Sequence, residues 1–131
     1  MAITELNYVE EAEKAIKVLK NLKNDRTGKT VPMVTTSKIR NLLAMSADIY
    51  NNVLSETSDK LNEELCSRIA YLRVRFMYEA GREPAVRNFV EKTQLLDVLK
   101  TINGSKKRYI LFNRYLEALV AFHKYYGGKE N

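Results

Sequence analysis

Residues 61–89, LNEELCSRIAYLRVRFMYEAGREPAVRNF, constrain this chain more than any other stretch. Leu61, Leu65, Ile69, Leu72 and Phe76 recur every three or four residues, which sets them on one helical face. Cys66, Ala70, Val74 and Met77 make a second apolar strip beside the first. A helix apolar over so much of its circumference is expected to be buried among several others. Gly81 is expected to cap it, and Pro84 suits the first turn of a new helix. The remaining sector carries Arg68, Tyr71, Arg75 and Tyr78, with Arg82 in the turn and Arg87 in the helix that follows. Guanidinium groups interleaved with phenols are the sharpest chemical feature of the chain.

The flanking segments read the same way. Val9, Ala12, Ile16, Leu19 and Leu22 predict a first helix from Thr4 to about Asn24, with Glu10–Lys14 and Glu13–Lys17 pairs on its solvated side. Ser37 opens a second helix to about Ser55, and Lys38 and Arg40 lie in its first turn, where a cation opposes the helix dipole. Ser58 or Asp59 is expected to cap the central helix. After Pro84 the apolar phase shifts from Val86, Phe89 and Val90 to Leu95, Val98, Leu99 and Ile102, so a break is expected near Thr93. Asn103 and Gly104 end that helix.

Ser105 opens the last helix, to Tyr126. Leu111, Phe112, Tyr115, Leu116, Ala118, Leu119, Phe122 and Tyr126 point inward, while Asn113, Glu117 and Lys124 point away. No segment alternates with period two. The expected fold is all-α, a single domain over residues 1–131 with about five helices, one of them broken. A flexible loop is expected at about 25–36 and a frayed tail at 127–131.

Twenty-two Lys and Arg against 16 acidic residues give a net charge of +6, which favours polyanions, nucleic acid first. One cysteine forms no intramolecular disulfide and suits a reducing compartment, so a cytoplasmic location is expected. The first residues do not form an apolar h-region and no apolar run has bilayer-spanning length, so neither a leader nor a membrane partner is expected.

Chemistry is hard to place. The GKT string at Gly28–Thr30 lacks the upstream glycine of a phosphate loop, since that position is Lys23. One histidine, His123, and one cysteine, Cys66, do not supply a zinc site, and Cys66 belongs to an apolar strip. Glu10/Glu11 and Glu63/Glu64 are neighbours that diverge around their helices. No catalytic residue, metal or cofactor is expected. The basic-aromatic strip does have a use, because arginine binds phosphate bidentately and both arginine and tyrosine stack on unpaired bases. The bland alternative is that Arg68, Arg73 and Arg75 pair with Glu64, Glu79 or Glu83.

The blocks YLRVRFMYEAGREPAVRNFVEK (71–92), TTSKIRNLLAMSADIYN (35–51) and RYLEALVAFHKYYGG (114–128) resemble the small subunit of the type III-A CRISPR effector, the Csm complex. The resemblance covers about residues 35 to 128 and implies a non-catalytic helical protein. It implies copies of the chain stacked as a filament along the guide RNA–target RNA duplex, touching mainly the target backbone, beside the backbone and large subunits. Basic positions inside the matching blocks are Arg40, Arg73, Arg75, Arg82 and Arg87; Lys38 and Arg68 come from the helical pattern alone. A helical DNA-binding regulator, with a helix-turn-helix around Gly81, and a protein-only interaction subunit are the alternatives from other classes.

Overall fold

The computed structural model describes residues 2–130 as one helical bundle, with no β-strand among them. Its helices are α1 (Tyr8–Lys20), α2 (Thr36–Leu54), α3 (Glu63–Arg82), α4 (Pro84–Thr93), α5 (Leu95–Ile102) and α6 (Lys106–Tyr125). The last helix, α6, is the axis: α1, α2 and α5 pack on it, and α3 closes the bundle against α2, α4 and α5. Phe76, Tyr109, Phe112, Tyr115, Leu116 and Leu119 are among the core residues fully withdrawn from solvent.

The expected break is complete, which turns five helices into six. Helix α4 ends at Thr93, Gln94 takes a left-handed conformation (φ 58°), and α5 starts at Leu95. A helix break in mid-bundle strands backbone polar groups, and α6 satisfies one of them: the buried Tyr115 hydroxyl donates to the Thr93 carbonyl at 2.8 Å. The Thr93 hydroxyl turns back and donates to the Phe89 carbonyl at 2.7 Å.

Several boundaries depart from expectation. Thr4 and Asn7 exchange side chain-to-backbone hydrogen bonds, which delays α1 to Tyr8, and Val9 is exposed rather than inward. After α1, the Asn24 side chain accepts from the amides of Arg26 and Thr27, so the GKT segment is a closed turn. The central helix is capped by Asn62, whose side chain accepts from the Leu65 amide, and not by Ser58 or Asp59. Asp59 instead accepts from the Ser105 hydroxyl and the Lys107 amide at the start of α6. Gly81 lies inside α3. The helix stops because Glu83, preceding Pro84, is held extended (φ −133°, ψ 121°), as a residue before proline is sterically obliged to be.

Asn113, expected on the surface, belongs instead to a polar interior. Asn113 is buried, and its side-chain carbonyl accepts from the Ser46 hydroxyl of α2 at 2.7 Å. Tyr109 donates to the Ser46 backbone carbonyl at 2.6 Å, and burial pushes its hydroxyl up to about 12. His123 is fully buried. Its Nε2 lies 2.6 Å from the Val34 carbonyl, which can only accept, so Nε2 carries the proton and Nδ1 accepts from the Thr36 hydroxyl.

Fraying was expected over 127–131; residues 127–130 lie across this histidine, and Asn131 is outside the described residues. The Thr36 amide donates to the Lys129 carbonyl and the Ser37 amide to the Glu130 carbonyl, so the tail supplies backbone partners to the first turn of α2. Gly128 has to be glycine there, because a Cβ would sit 2.1 Å from the His123 ring.

Burial lowers the His123 pKa below the ordinary histidine value, with the charge of Lys124 acting in the same direction. The ring is neutral when folded, while the unfolded chain protonates near pH 6.5. Below that pH the unfolded state binds more protons, so stability is full above about pH 6.5 and falls as pH drops toward the folded pKa. A urea-denaturation series from pH 8 to 5 should show this slope, at most about 1.4 kcal/mol per pH unit, and His123→Gln should flatten it.

Candidate nucleic-acid interface

The expected basic residues separate into groups once folded. Helices α2 and α3 run antiparallel and leave a groove of about 390 Å³ between them, lined on α3 by Ser67, Arg68, Tyr71, Leu72 and Arg75 and on α2 by Met45, Asp48 and Ile49. Arg68 is anchored to the opposite helix: it donates to the Asn52 side chain and to the Asp48 backbone carbonyl, both at 3.2 Å. Arg75 has no carboxylate within ion-pair distance among the described residues. Tyr71 and Tyr78 stand on the same strip and are 59% and 60% exposed, so their rings are open to a partner. Arg82 continues the strip, lying over the Tyr78 ring at 5.6 Å and 3.5 Å from Glu79.

Glu79 thus takes Arg82 rather than Arg75, and none of Arg68, Arg73 and Arg75 forms an ion pair with Glu64, Glu79 or Glu83 among the described residues. The Arg82 guanidinium is about half exposed and 3.5 Å from a largely covered Glu79 carboxylate, so its outer side stays open to a phosphate. Lys38 pairs with Glu83 at the α3–α4 junction, which brings it to the Arg82 end of the groove.

The other candidates lie elsewhere. Arg40 binds Glu130 of the tail at 3.1 Å, and Lys124 takes the other carboxylate oxygen at 3.0 Å, which holds the Glu130 carboxyl below the usual range. Arg87 is on α4 with Glu91 as a distant partner at 3.8 Å. Arg73 points to the far border of α3, into a second groove with Lys60 and Lys100.

The central helix is not buried all round. Leu65, Ile69, Leu72 and Phe76 face the core, whereas Val74 and Met77 of the second strip are about half exposed. Lys60, Lys100 and Asp48 were missed as groove residues because a helical wheel orders residues within one helix and says nothing of what a neighbouring segment contributes. A single residue, Glu83, separates α3 from α4, short of the three- to four-residue turn of a helix-turn-helix.

Cys66 and His123 do not meet: the thiol lies against the Leu61 carbonyl and the imidazole is engaged by Val34 and Thr36. No group of three or more His, Cys, Asp or Glu side chains among the described residues is placed to hold a metal. No described helix is long and apolar enough to cross a membrane.

An all-helical chain with an arginine–tyrosine groove can be compared with known proteins. A Csm2 Type III-A family model matches residues 9–129. The chain is 41% identical over 128 residues to a Streptococcus thermophilus protein described as CRISPR system Cms protein Csm2, covering 98% of each chain. Proteins of the same description from Enterococcus italicus and Mycobacterium tuberculosis are 45% identical over 96 residues and 38% identical over 97. These alignments cover 71% and 74% of this chain and 68% and 78% of the relatives. With a family model over nearly its whole length, and the motifs at 35–51, 71–92 and 114–128 within it, the chain belongs to the type III-A Csm2 family, the small subunit its sequence resembles.

Proposed function

We propose that this protein is a non-catalytic subunit of a type III-A Csm effector, working in the cytoplasm, that binds the guide RNA–target RNA duplex through the α2–α3 groove. The duplex backbone, mainly the target strand, lies along Arg68, Arg75 and Arg82, with Lys38 at one end. Tyr71 and Tyr78 offer stacking or sugar contacts. Copies of the chain sit side by side along the duplex, next to the backbone and large subunits.

The observation that carries this reading is Arg75: an exposed guanidinium with no carboxylate partner among the described residues, between an anchored Arg68 and two open tyrosine rings, on the rim of a groove. An unpaired arginine keeps its full charge for a ligand phosphate.

Fluorescence anisotropy with labelled single-stranded RNA, RNA duplex and DNA duplex tests it. Binding is expected to RNA, to weaken steeply with salt, and to leave the RNA intact with or without divalent metal. Preference for duplex DNA would favour a DNA-binding role. Metal-dependent cleavage that co-purifies with the protein and vanishes on one acidic substitution would overturn the non-catalytic reading.

A further inference from the structure

One tail carboxylate holds cations from two helices. The Arg40 guanidinium of α2 lies 3.1 Å from one oxygen of Glu130, and the Lys124 ammonium of α6 lies 3.0 Å from the other. The backbone of the tail aims this carboxylate. Gly127 turns the chain (φ 95°), the Gly128 amide donates to the His123 carbonyl, and the Thr36 and Ser37 amides donate to the Lys129 and Glu130 carbonyls.

The carboxylate does little for the fold. All three charged side chains are 42% to 59% exposed, and ion pairs so open to water contribute little to stability. The backbone bonds and the fit of Gly128 over His123 hold the tail without it. Its effect on charge is larger. Two cations from separate helices that converge on two oxygens of one anion are also the arrangement that grips a phosphate. Lys38 and Arg40 leave the same turn of α2, Lys38 towards Glu83 and the Arg82 end of the groove, Arg40 towards the tail. A strand that leaves the groove over the start of α2 therefore meets Arg40 and Lys124 next.

We propose that Glu130 is an autoinhibitory mask: its carboxylate occupies the place of an RNA phosphate on Arg40 and Lys124 and keeps this second anion patch shut in the free chain. The inference rests on the reading that the α2–α3 groove binds RNA, and gives that site a masked extension. Opening needs only a rotation of the Glu130 side chain, and no backbone bond of the tail has to break. Arg40, a basic residue quenched in the fold, thus becomes available only when the mask is off.

Fluorescence anisotropy of the full chain with a short single-stranded RNA over a salt series tests the proposal. The variants are Glu130→Gln, Arg40→Ala, the two combined, and Glu5→Gln. Glu5 is exposed and has no cation partner among the described residues, so Glu5→Gln removes the same charge away from the patch. Glu130→Gln should bind about tenfold more tightly than Glu5→Gln at 50 mM salt, with a log K versus log salt slope steeper by about 0.7, the value of one added single-strand phosphate contact. Arg40→Ala alone should stay within about twofold of wild type, because Glu130 already engages its charge. Most of the gain should be absent from the combined variant. The Thr36 amide, bonded to the Lys129 carbonyl, should keep its protection from hydrogen exchange in Glu130→Gln.

Wild type that binds RNA while Glu130→Gln binds no tighter than Glu5→Gln would overturn the mask and leave the groove reading standing. So would a gain that survives whole without Arg40, or an Arg40→Ala loss as large as that of Arg75→Ala, which would put Arg40 in contact with RNA already. Loss of Thr36 protection in Glu130→Gln would make the carboxylate a clasp of the fold instead. No RNA binding by wild type and by Glu130→Gln alike would sink both readings.

Discussion

Arg75→Ala should weaken RNA binding about tenfold per bound copy at 50 mM salt and leave the melting temperature unchanged. The figure follows from counterion release: one phosphate contact contributes a log K versus log salt slope of about 0.7 for single strands and 0.9 for a duplex, close to one decade at that salt. The unchanged stability follows from the fold, since Arg75 has no carboxylate partner among the described residues to lose. Arg68→Ala should differ by lowering both affinity and stability, the latter by less than about 1 kcal/mol, because its two hydrogen bonds to α2 are exposed. Arg87→Ala, on α4 beside Glu91, should shift the slope less than Arg75→Ala. On the proposed arrangement the defect should multiply in an assembled complex, since every copy on one RNA would lose its contact and linked copies would bind through effective concentration. Titrating wild type and Arg75→Ala over a salt series, with a thermal melt of each, checks both halves. A reduced melting temperature with an unaltered salt slope would make Arg75 a structural residue.

The fold was legible where periodicity and steric punctuation act within one segment. The phase shift between Val90 and Leu95 placed the break near Thr93, next to the Gln94 where it falls, because both apolar sets are buried. Pro84 fixed the start of α4 for an equally local reason. Caps were less legible: Ser58, Asp59 and Asn62 are all competent, and the choice fell to Asn62 because Asp59 is taken by the start of α6. The same limit applies to the site. The strip of Arg68, Tyr71, Arg75, Tyr78 and Arg82 is a property of one helix and was readable. Which cation is quenched depends on Glu79, Glu83 and Glu130, chosen by tertiary geometry, and Arg40 meets a residue 90 positions away. Val74 and Met77 were taken for core because an apolar strip looks alike whether it faces the bundle or a partner.

Asn113→Ala should destabilise the protein by about 2–3 kcal/mol, although the pattern of α6 alone puts this residue on the surface. The side chain is 4% exposed, accepts from the Ser46 hydroxyl and donates to Glu117 at 2.9 Å, so it ties α2 to α6 through a site with little access to water. Truncation removes the acceptor and leaves a small void, while the Ser46 hydroxyl keeps only the longer contact to Tyr109 at 3.1 Å. The loss is large against a total stability of about 5–15 kcal/mol for a domain, and it should appear as a lowered urea midpoint at unchanged m-value. Ser46→Ala removes the other half of the same interaction, and the double variant should cost less than the sum of the singles by about 0.5–3 kcal/mol. Arg114→Ala, on the next and exposed position of α6, serves as the control and should stay within about 0.5 kcal/mol of wild type. Strict additivity of Asn113→Ala and Ser46→Ala, or an Asn113→Ala variant as stable as the control, would mean that α6 is rotated and that its polar face meets solvent.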